Sequence, residues 1–226
     1  MLRSWSVGGG AVPVRIVMRH GPDAPEDLWQ ADAERGAPVR ADAALPDVRR
    51  SFRPNPRFEE AKVREIAAEG RRARVLLSVE DGTHPEAQER IATLAAYGFH
   101  FRLHPKLPSW FWVNDDETVG LPLTWGEAWP TSVMAVSSPA VAGLARVVYD
   151  HLWAQAWPWR AEPRGWDSVL AMLAAGATVE AAARALGISP RTARRRLAEA
   201  MEHYGVEGMF ALGAAWRADP ARAGAE

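Results

Sequence analysis

The segment from Thr178 to Tyr204 constrains the fold more than any other stretch of the chain. It reads Thr-Val-Glu-Ala-Ala-Ala-Arg-Ala-Leu-Gly-Ile-Ser-Pro-Arg-Thr-Ala-Arg-Arg-Arg-Leu-Ala-Glu-Ala-Met-Glu-His-Tyr. The pattern predicts two helices joined by a tight turn. Thr178 is placed to cap the first helix by accepting from a free backbone N–H. Ala181, Ala182 and Ala183 are small where a crossing helix must come close. Gly187 supplies the left-handed backbone on which a helix exits without a Cβ clash. Ser189 caps the second helix, and Pro190 takes its first position, where the missing N–H costs nothing.

Two helices so arranged form a helix-turn-helix, in which one helix braces the unit and the next enters the DNA major groove. Ala193, Leu197, Ala200, Met201 and Tyr204 recur at spacings of three and four and predict the buried stripe. Arg191, Arg194 and Arg195 fall outside it, near the helix N-terminus that meets base edges in this motif. Thr192 and Arg196 flank them within reach of phosphates, and Ser189 belongs to the same DNA-facing end. From Arg184 to Arg196 the chain has five arginines and no acidic residue. The planar guanidinium suits this role, because it binds guanine O6 and N7, or a phosphate, through two parallel N–H groups. The plainer alternative is a solvated basic helix in an ordinary bundle. Caps, turn glycine, small packing residues and basic face coincide at one site, which favours DNA.

On these residues, the segment from Trp166 to about Arg217 resembles the C-terminal DNA-binding domain of LuxR-type (GerE-like) transcription regulators, a four-helix module. Thr192-Ala193 and Tyr204-Gly205-Val206 stand where that family carries its recognition-helix centre and exit. The first helix is expected from Asp167 to Ala175, with Val169, Leu170 and Leu173 inward and Gly176 ending it. The fourth is expected from about Val206 to Trp216, with Phe210, Leu212 and Trp216 apolar. The resemblance implies dimer contacts on that helix, at Leu212, Gly213 and Trp216. The sequence departs from the family at His203 and Met209, where basic residues are common.

Ahead of this module the chain predicts a separate α/β unit. Ala73–Val79 is a short apolar run that reads as a buried strand. A helix from Pro85 to Tyr97 is ended by Gly98, and Phe99, Phe101 and Leu103 then alternate with polar residues as a half-buried strand. Such a strand-helix-strand unit places its strands parallel. Trp110–Val113 and Thr118–Leu123 flank Asp115-Asp116-Glu117 as a hairpin, with Pro122 favouring a sheet edge. Thr131–Val136 is a further strand. Ser138 caps a helix to about Trp157, with Val141, Leu144, Val148 and Leu152 as its apolar face. Val12–Met18 reads as a strand, Pro25–Arg35 as a short helix and 36–56 as an exposed loop. The expected division is therefore an N-terminal extension (1–60), an α/β sensor domain (61–157), a linker (158–165), an all-α helix-turn-helix domain (166–217) and a tail (218–226).

A helix ahead of Ala73 and a leucine-proline-led hairpin make the stretch from Glu60 to Trp157 similar to a degenerate phospholipase-D-like or TrmB-type effector-binding domain of some actinobacterial regulators. Relatives often carry a further N-terminal helical module, which this chain is expected to lack. His104-Pro105-Lys106 has the histidine-lysine spacing of phospholipase D, whose histidine attacks phosphorus. That motif also needs an aspartate five positions after the lysine, where Phe111 stands. No catalysis is therefore expected, and His104 and Lys106 read as the end of a strand. The glycine run 8–10 lacks the lysine and helix start of a phosphate loop. No pair of histidines, His84 and His151 included, has zinc-ligand spacing with a third ligand, so neither metal nor cofactor is expected.

Composition narrows the classes that remain. At 226 residues the chain is long enough to bury a core without staples, and it has no cysteine, which excludes disulfides and thiol chemistry. Formal charge is −1, so any attraction to nucleic acid is local to one helix. No leader segment or long apolar span is evident, and the expected location is cytoplasmic. Eight of the eleven tryptophans fall between Trp110 and Trp166 and are expected to fill the sensor core rather than to line an effector pocket or a dimer interface. The reading that unites these features is a regulator binding double-stranded promoter DNA as a homodimer, acting through RNA polymerase, with an unknown small-molecule effector as a further partner. The competing readings are a protein-interaction module that has lost DNA binding and, third, a phospholipase-D-like phosphodiesterase.

Overall fold

Val75-Leu76-Leu77 can be buried on alternating sides only if sheet neighbours flank it and helices cover both faces. The computed structural model, which describes residues 14–36, 38–51, 71–79, 85–160 and 164–219, has this arrangement. The strands are β1 (Arg15–His20), β2 (Arg40–Leu45), β3 (Arg72–Ser78), β4 (Phe99–His104), β5 (Phe111–Asn114), β6 (Thr118–Pro122), β7 (Ser132–Ser137) and β8 (Trp157–Pro158). They form one sheet in the order β1-β7-β6-β5-β2-β3-β4-β8. The β2, β3 and β4 strands are parallel to one another, and the remaining pairings are antiparallel.

Helices α1 (Ala24–Ala33), α2 (Val48–Ser51), α3 (Pro85–Ala96) and α4 (Pro139–Gln155) accompany the sheet. On one face, Ala87, Ile91 and Leu94 of α3 pack with Val75, Leu77, Phe101 and Leu103. On the other, Ala142, Tyr149 and Leu152 of α4 pack with Leu76, Phe111, Val113 and Val119. The alternation within β3 and β5 thus sets which helix each side chain meets. Toward the β1 edge, Ala24 and Leu28 of α1 cover Trp110, Trp112, Val133 and Ala135.

Four expectations are corrected. First, the anticipated loop 36–56 contains β2, the strand that joins the parallel and antiparallel halves of the sheet. Its Asp42 is wholly buried and takes a two-pronged contact from Arg74, at 2.8 and 2.6 Å, and a further ion pair from Arg146. Second, β6 lies inside the sheet rather than at its edge; Pro122 is tolerated because it is the last residue of the strand. Third, Leu144 and Val148 of α4 point outward, at 69% and 38% exposure. Arg146 and Tyr149 occupy the inner face, where Arg146 holds Asp42 and Asp116 and the Tyr149 hydroxyl donates to the Arg74 carbonyl at 2.8 Å. Fourth, the anticipated linker opens as strand β8, with Leu103 opposite Trp157 and Arg102 opposite Pro158.

The C-terminal region is all helical: α5 (Asp167–Ala174), α6 (Val179–Ala185), α7 (Pro190–Tyr204) and α8 (Met209–Ala218). Val169, Leu170, Ala183, Ala193, Leu197, Ala200, Leu212 and Trp216 fill its centre, and the buried cluster runs on through Trp157 to the α3 face of the sheet. The helix expected ahead of Ala73, the glycine run 8–10, His84 and most of the expected tail lie outside the described residues.

Candidate nucleic-acid interface

Local chemistry sets the geometry of the helix pair α6–α7. The Thr178 hydroxyl accepts from the Ala181 amide at 3.1 Å, and the Ser189 hydroxyl accepts from the Thr192 amide at 3.1 Å. Each bond satisfies an N–H that a helix start leaves without an intrahelical partner. Between the two caps, Gly187 has φ 63°, the left-handed conformation the turn requires. Ala182 and Ala183 of α6 and Ala193 of α7 have no exposed surface, which is where the two helices meet. Gly205, also at φ 63°, ends α7.

The stripe Ala193, Leu197, Ala200 faces inward, and the arginines at the start of α7 lie outside it. Arg191, Arg194 and Arg195 are exposed, while Thr192 and Arg196 are half-buried. The Thr192 hydroxyl is 2.9 Å from that of Ser189, which ties it to the cap. Arg196 lies against the turn before α5, its Nε 3.6 Å from the place a Cβ would take on Gly165. Two of the exposed arginines have carboxylate partners. Arg194 pairs with Glu180 on α6, and Arg195 pairs with Glu199 one turn along α7 at 2.9 Å. Among the described residues Arg191 has no ion pair.

The fourth helix departs from expectation. Leu212 and Trp216, anticipated at a dimer contact, lie in the bundle core at 0% and 2% exposure. The Trp216 indole N–H donates to Asp167 at 2.9 Å, joining α8 to α5. Gly213 is half-buried. The outward side of α8 carries Met209 and Phe210 instead, and Phe210 is 93% exposed. At the base of the bundle Arg164 donates to Asp219 at 2.8 Å, as does the Tyr204 hydroxyl, also at 2.8 Å. Burial and the Asp219 contact raise the Tyr204 pKa.

A second polar cluster sits at the end of β4. His104 is buried, and its Nδ1 accepts from the Lys106 amide at 3.1 Å. Burial holds its pKa below the ordinary value, and neighbouring His151 acts in the same direction. Lys106 is exposed, and Phe111 is buried against Tyr149. Asp115 and Asp116 lie in the β5–β6 turn, where Asp115 accepts from the Val39 and Arg40 amides and Asp116 pairs with Arg146. Among the described residues no group of carboxylates and histidines is placed to hold a metal ion, and no helix is long and apolar enough to cross a membrane.

Comparison with known proteins places a homeodomain-like domain at residues 168–210, the segment that contains both capped helices. No curated protein matches the chain by sequence. Among solved structures, the phospholipase D family member Nuc from Salmonella typhimurium aligns at 14% identity and a TM-score of 0.49, over 65% of this chain and 99% of that one. The archaeal chromatin protein TrmBL2 aligns at 14% identity and a TM-score of 0.47, over 63% of this chain and 52% of its own. NucT from Helicobacter pylori aligns at 12% identity and a TM-score of 0.44, over 63% and 98%. The chain thus carries a homeodomain-like helix-turn-helix behind a mixed eight-stranded sheet.

Proposed function

We propose that the protein is a sequence-specific DNA-binding transcription regulator, of the LuxR-type layout, that reads promoter DNA with α7. The observation that carries this reading is the coincidence of a capped helix N-terminus with three exposed arginines, Arg191, Arg194 and Arg195, on a homeodomain-like segment. The positive dipole end of the helix and the Arg191 amide, which the cap leaves free, favour a phosphate there, and arginine forks read guanine edges beside it. The eight-stranded unit takes the sensor role, coupled to the bundle through the buried cluster around Trp157. A small-molecule effector and RNA polymerase are the partners this role calls for.

One recognition helix covers too few base pairs to select a promoter, so two copies on half-sites about 34–36 Å apart are proposed. With Leu212 and Trp216 inside the bundle, the contact moves to the outward side of α8, where Met209, Phe210 and Gly213 present an uncharged surface. Phe210 is also the one observation favouring the rival reading, a protein-interaction module. Salt separates the two: DNA binding weakens steeply as salt rises, because phosphate contacts release counterions, and an apolar contact does not. Against a phosphodiesterase stand the buried His104, its Nδ1 already engaged by a backbone amide, and Phe111 in the place of an aspartate. The test is selection from a random duplex library followed by anisotropy titration of the winning sequence across salt concentrations. A recovered consensus with a steep salt slope is expected; recovery of no consensus would contradict the reading.

A further inference from the structure

We propose that Glu180 is a positioning residue that makes Arg194 selective for a guanine edge over bare phosphate. The inference rests on the DNA-reading role of α7 and names the device by which that helix discriminates. Three exposed arginines share one face, yet they are held differently. Arg191 has no ion pair among the described residues, and the partner of Arg195 rides on the same helix, one turn away. Arg194 is held from outside, by a carboxylate on α6, the helix that braces the recognition helix. The pair therefore fixes one guanidinium relative to the bundle rather than relative to its own helix.

Holding Arg194 in this way has two consequences. Only its Nη2 is engaged by Glu180, and a guanidinium carries five N–H donors in a rigid fork. The remaining edge can still meet O6 and N7 of one guanine, in a geometry the carboxylate helps to fix. The second consequence concerns DNA of any sequence. A carboxylate in contact with Arg194 offsets its charge, so this arginine releases little counterion on nonspecific duplex, and Glu180 itself repels phosphates. A base edge offers two aligned acceptors and recovers the interaction; a phosphate offers charge, which Glu180 has already offset. Glu180 thus lowers nonspecific affinity more than cognate affinity. Both side chains are more than half exposed, which keeps the pair open to exchange with a ligand.

The test uses the full chain and a duplex selected from a random library, with a scrambled duplex of equal length as the nonspecific probe. Glu180→Gln is expected to raise affinity for the scrambled duplex by about three- to tenfold at fixed salt. It should also steepen the salt dependence of log K by up to about 0.9, as expected for one additional phosphate contact, and reduce the cognate-to-scrambled ratio severalfold. In an Arg194→Ala background the same substitution should no longer change the cognate-to-scrambled ratio, because relief of phosphate repulsion then acts on both duplexes alike. A merely structural Glu180 would shift both affinities equally and leave the slope alone, and that result would overturn the proposal. Unchanged binding by Glu180→Gln, with melting like the wild type, would do the same. If the wild type shows no preference among duplexes, the DNA-reading role fails first and this inference falls with it.

Discussion

Gly120 shows how much a single position can decide in this sheet. It lies opposite Trp112 across the β5–β6 pair, and a Cβ built on it would stand 2.1 Å from the Trp112 ring. The ring occupies the space beside the glycine, and Trp112 is only 2% exposed. Gly120→Ala must push the indole off this contact, which is expected to cost about 1–3 kcal/mol in urea unfolding, as overpacking of a filled core does. His104 is the second decisive residue. Burial keeps its pKa below the ordinary 6.5, so the unfolded chain takes up that proton first as pH falls. The stability contributed by the neutral ring is therefore full above about pH 6.5 and is lost as pH drops through the lower folded value. His104→Gln should flatten the acid limb of a plot of urea midpoint against pH. An acid limb as steep as that of the wild type would place the sensitivity elsewhere.

At the scale of elements, α8 now has a defined inner and outer side, and the two make opposite predictions. Trp216→Ala removes a core ring and its bond to Asp167, and should destabilise the bundle by about 3–5 kcal/mol. Phe210→Ser removes a ring that is 93% exposed; thermal melting should move little, while self-association on operator DNA weakens. Sedimentation of both variants, alongside circular dichroism, checks the pair. If Phe210→Ser sediments like the wild type on operator, the proposed dimer contact on α8 is contradicted.

The helix-turn-helix was legible in the sequence because its signals are local. A cap, a turn glycine and a small-residue seam each act within four residues, and Thr178, Gly187 and Ser189 all do what their types imply. Elements that depend on distant partners were not legible. Arg40-Ala-Asp-Ala-Ala-Leu45 reads as a loop because Asp42 is charged, and it becomes a central strand only when Arg74 and Arg146 arrive from β3 and α4 to hold that charge. The same network misdirects the reading of α4, whose inward residues include an arginine and a tyrosine while Leu144 and Val147 face out. Burial and neighbouring Arg40 lower the Arg146 pKa to about 10, which leaves it charged and paired at neutral pH. The glutamate that holds Arg194 was hidden for a similar reason, because it lies on another helix, whereas the four-residue spacing of Arg195 and Glu199 along α7 was legible.

The whole molecule joins the helical bundle to a mixed sheet through one continuous buried cluster. Trp157 and Phe101 lie in the same cluster as Leu197 and Trp216, so the sheet and α7 share one packed core. At that scale, Arg74→Ala would leave Asp42 short of one of its two closest cations. Breaking such a buried network is expected to cost about 3–5 kcal/mol in the unfolding of the sheet. The central claim remains that α7 reads DNA through its first two turns. It is tested most directly by measuring affinity for the selected duplex, and for every single-base variant of it, in wild type and in Arg191→Ala, Arg194→Ala and Arg195→Ala. The account predicts that at least one substitution loses about 1–3 kcal/mol on the selected duplex and relaxes preference at one base position while leaving the others intact. Equal losses on every duplex for all three variants, or no loss for any, would contradict it.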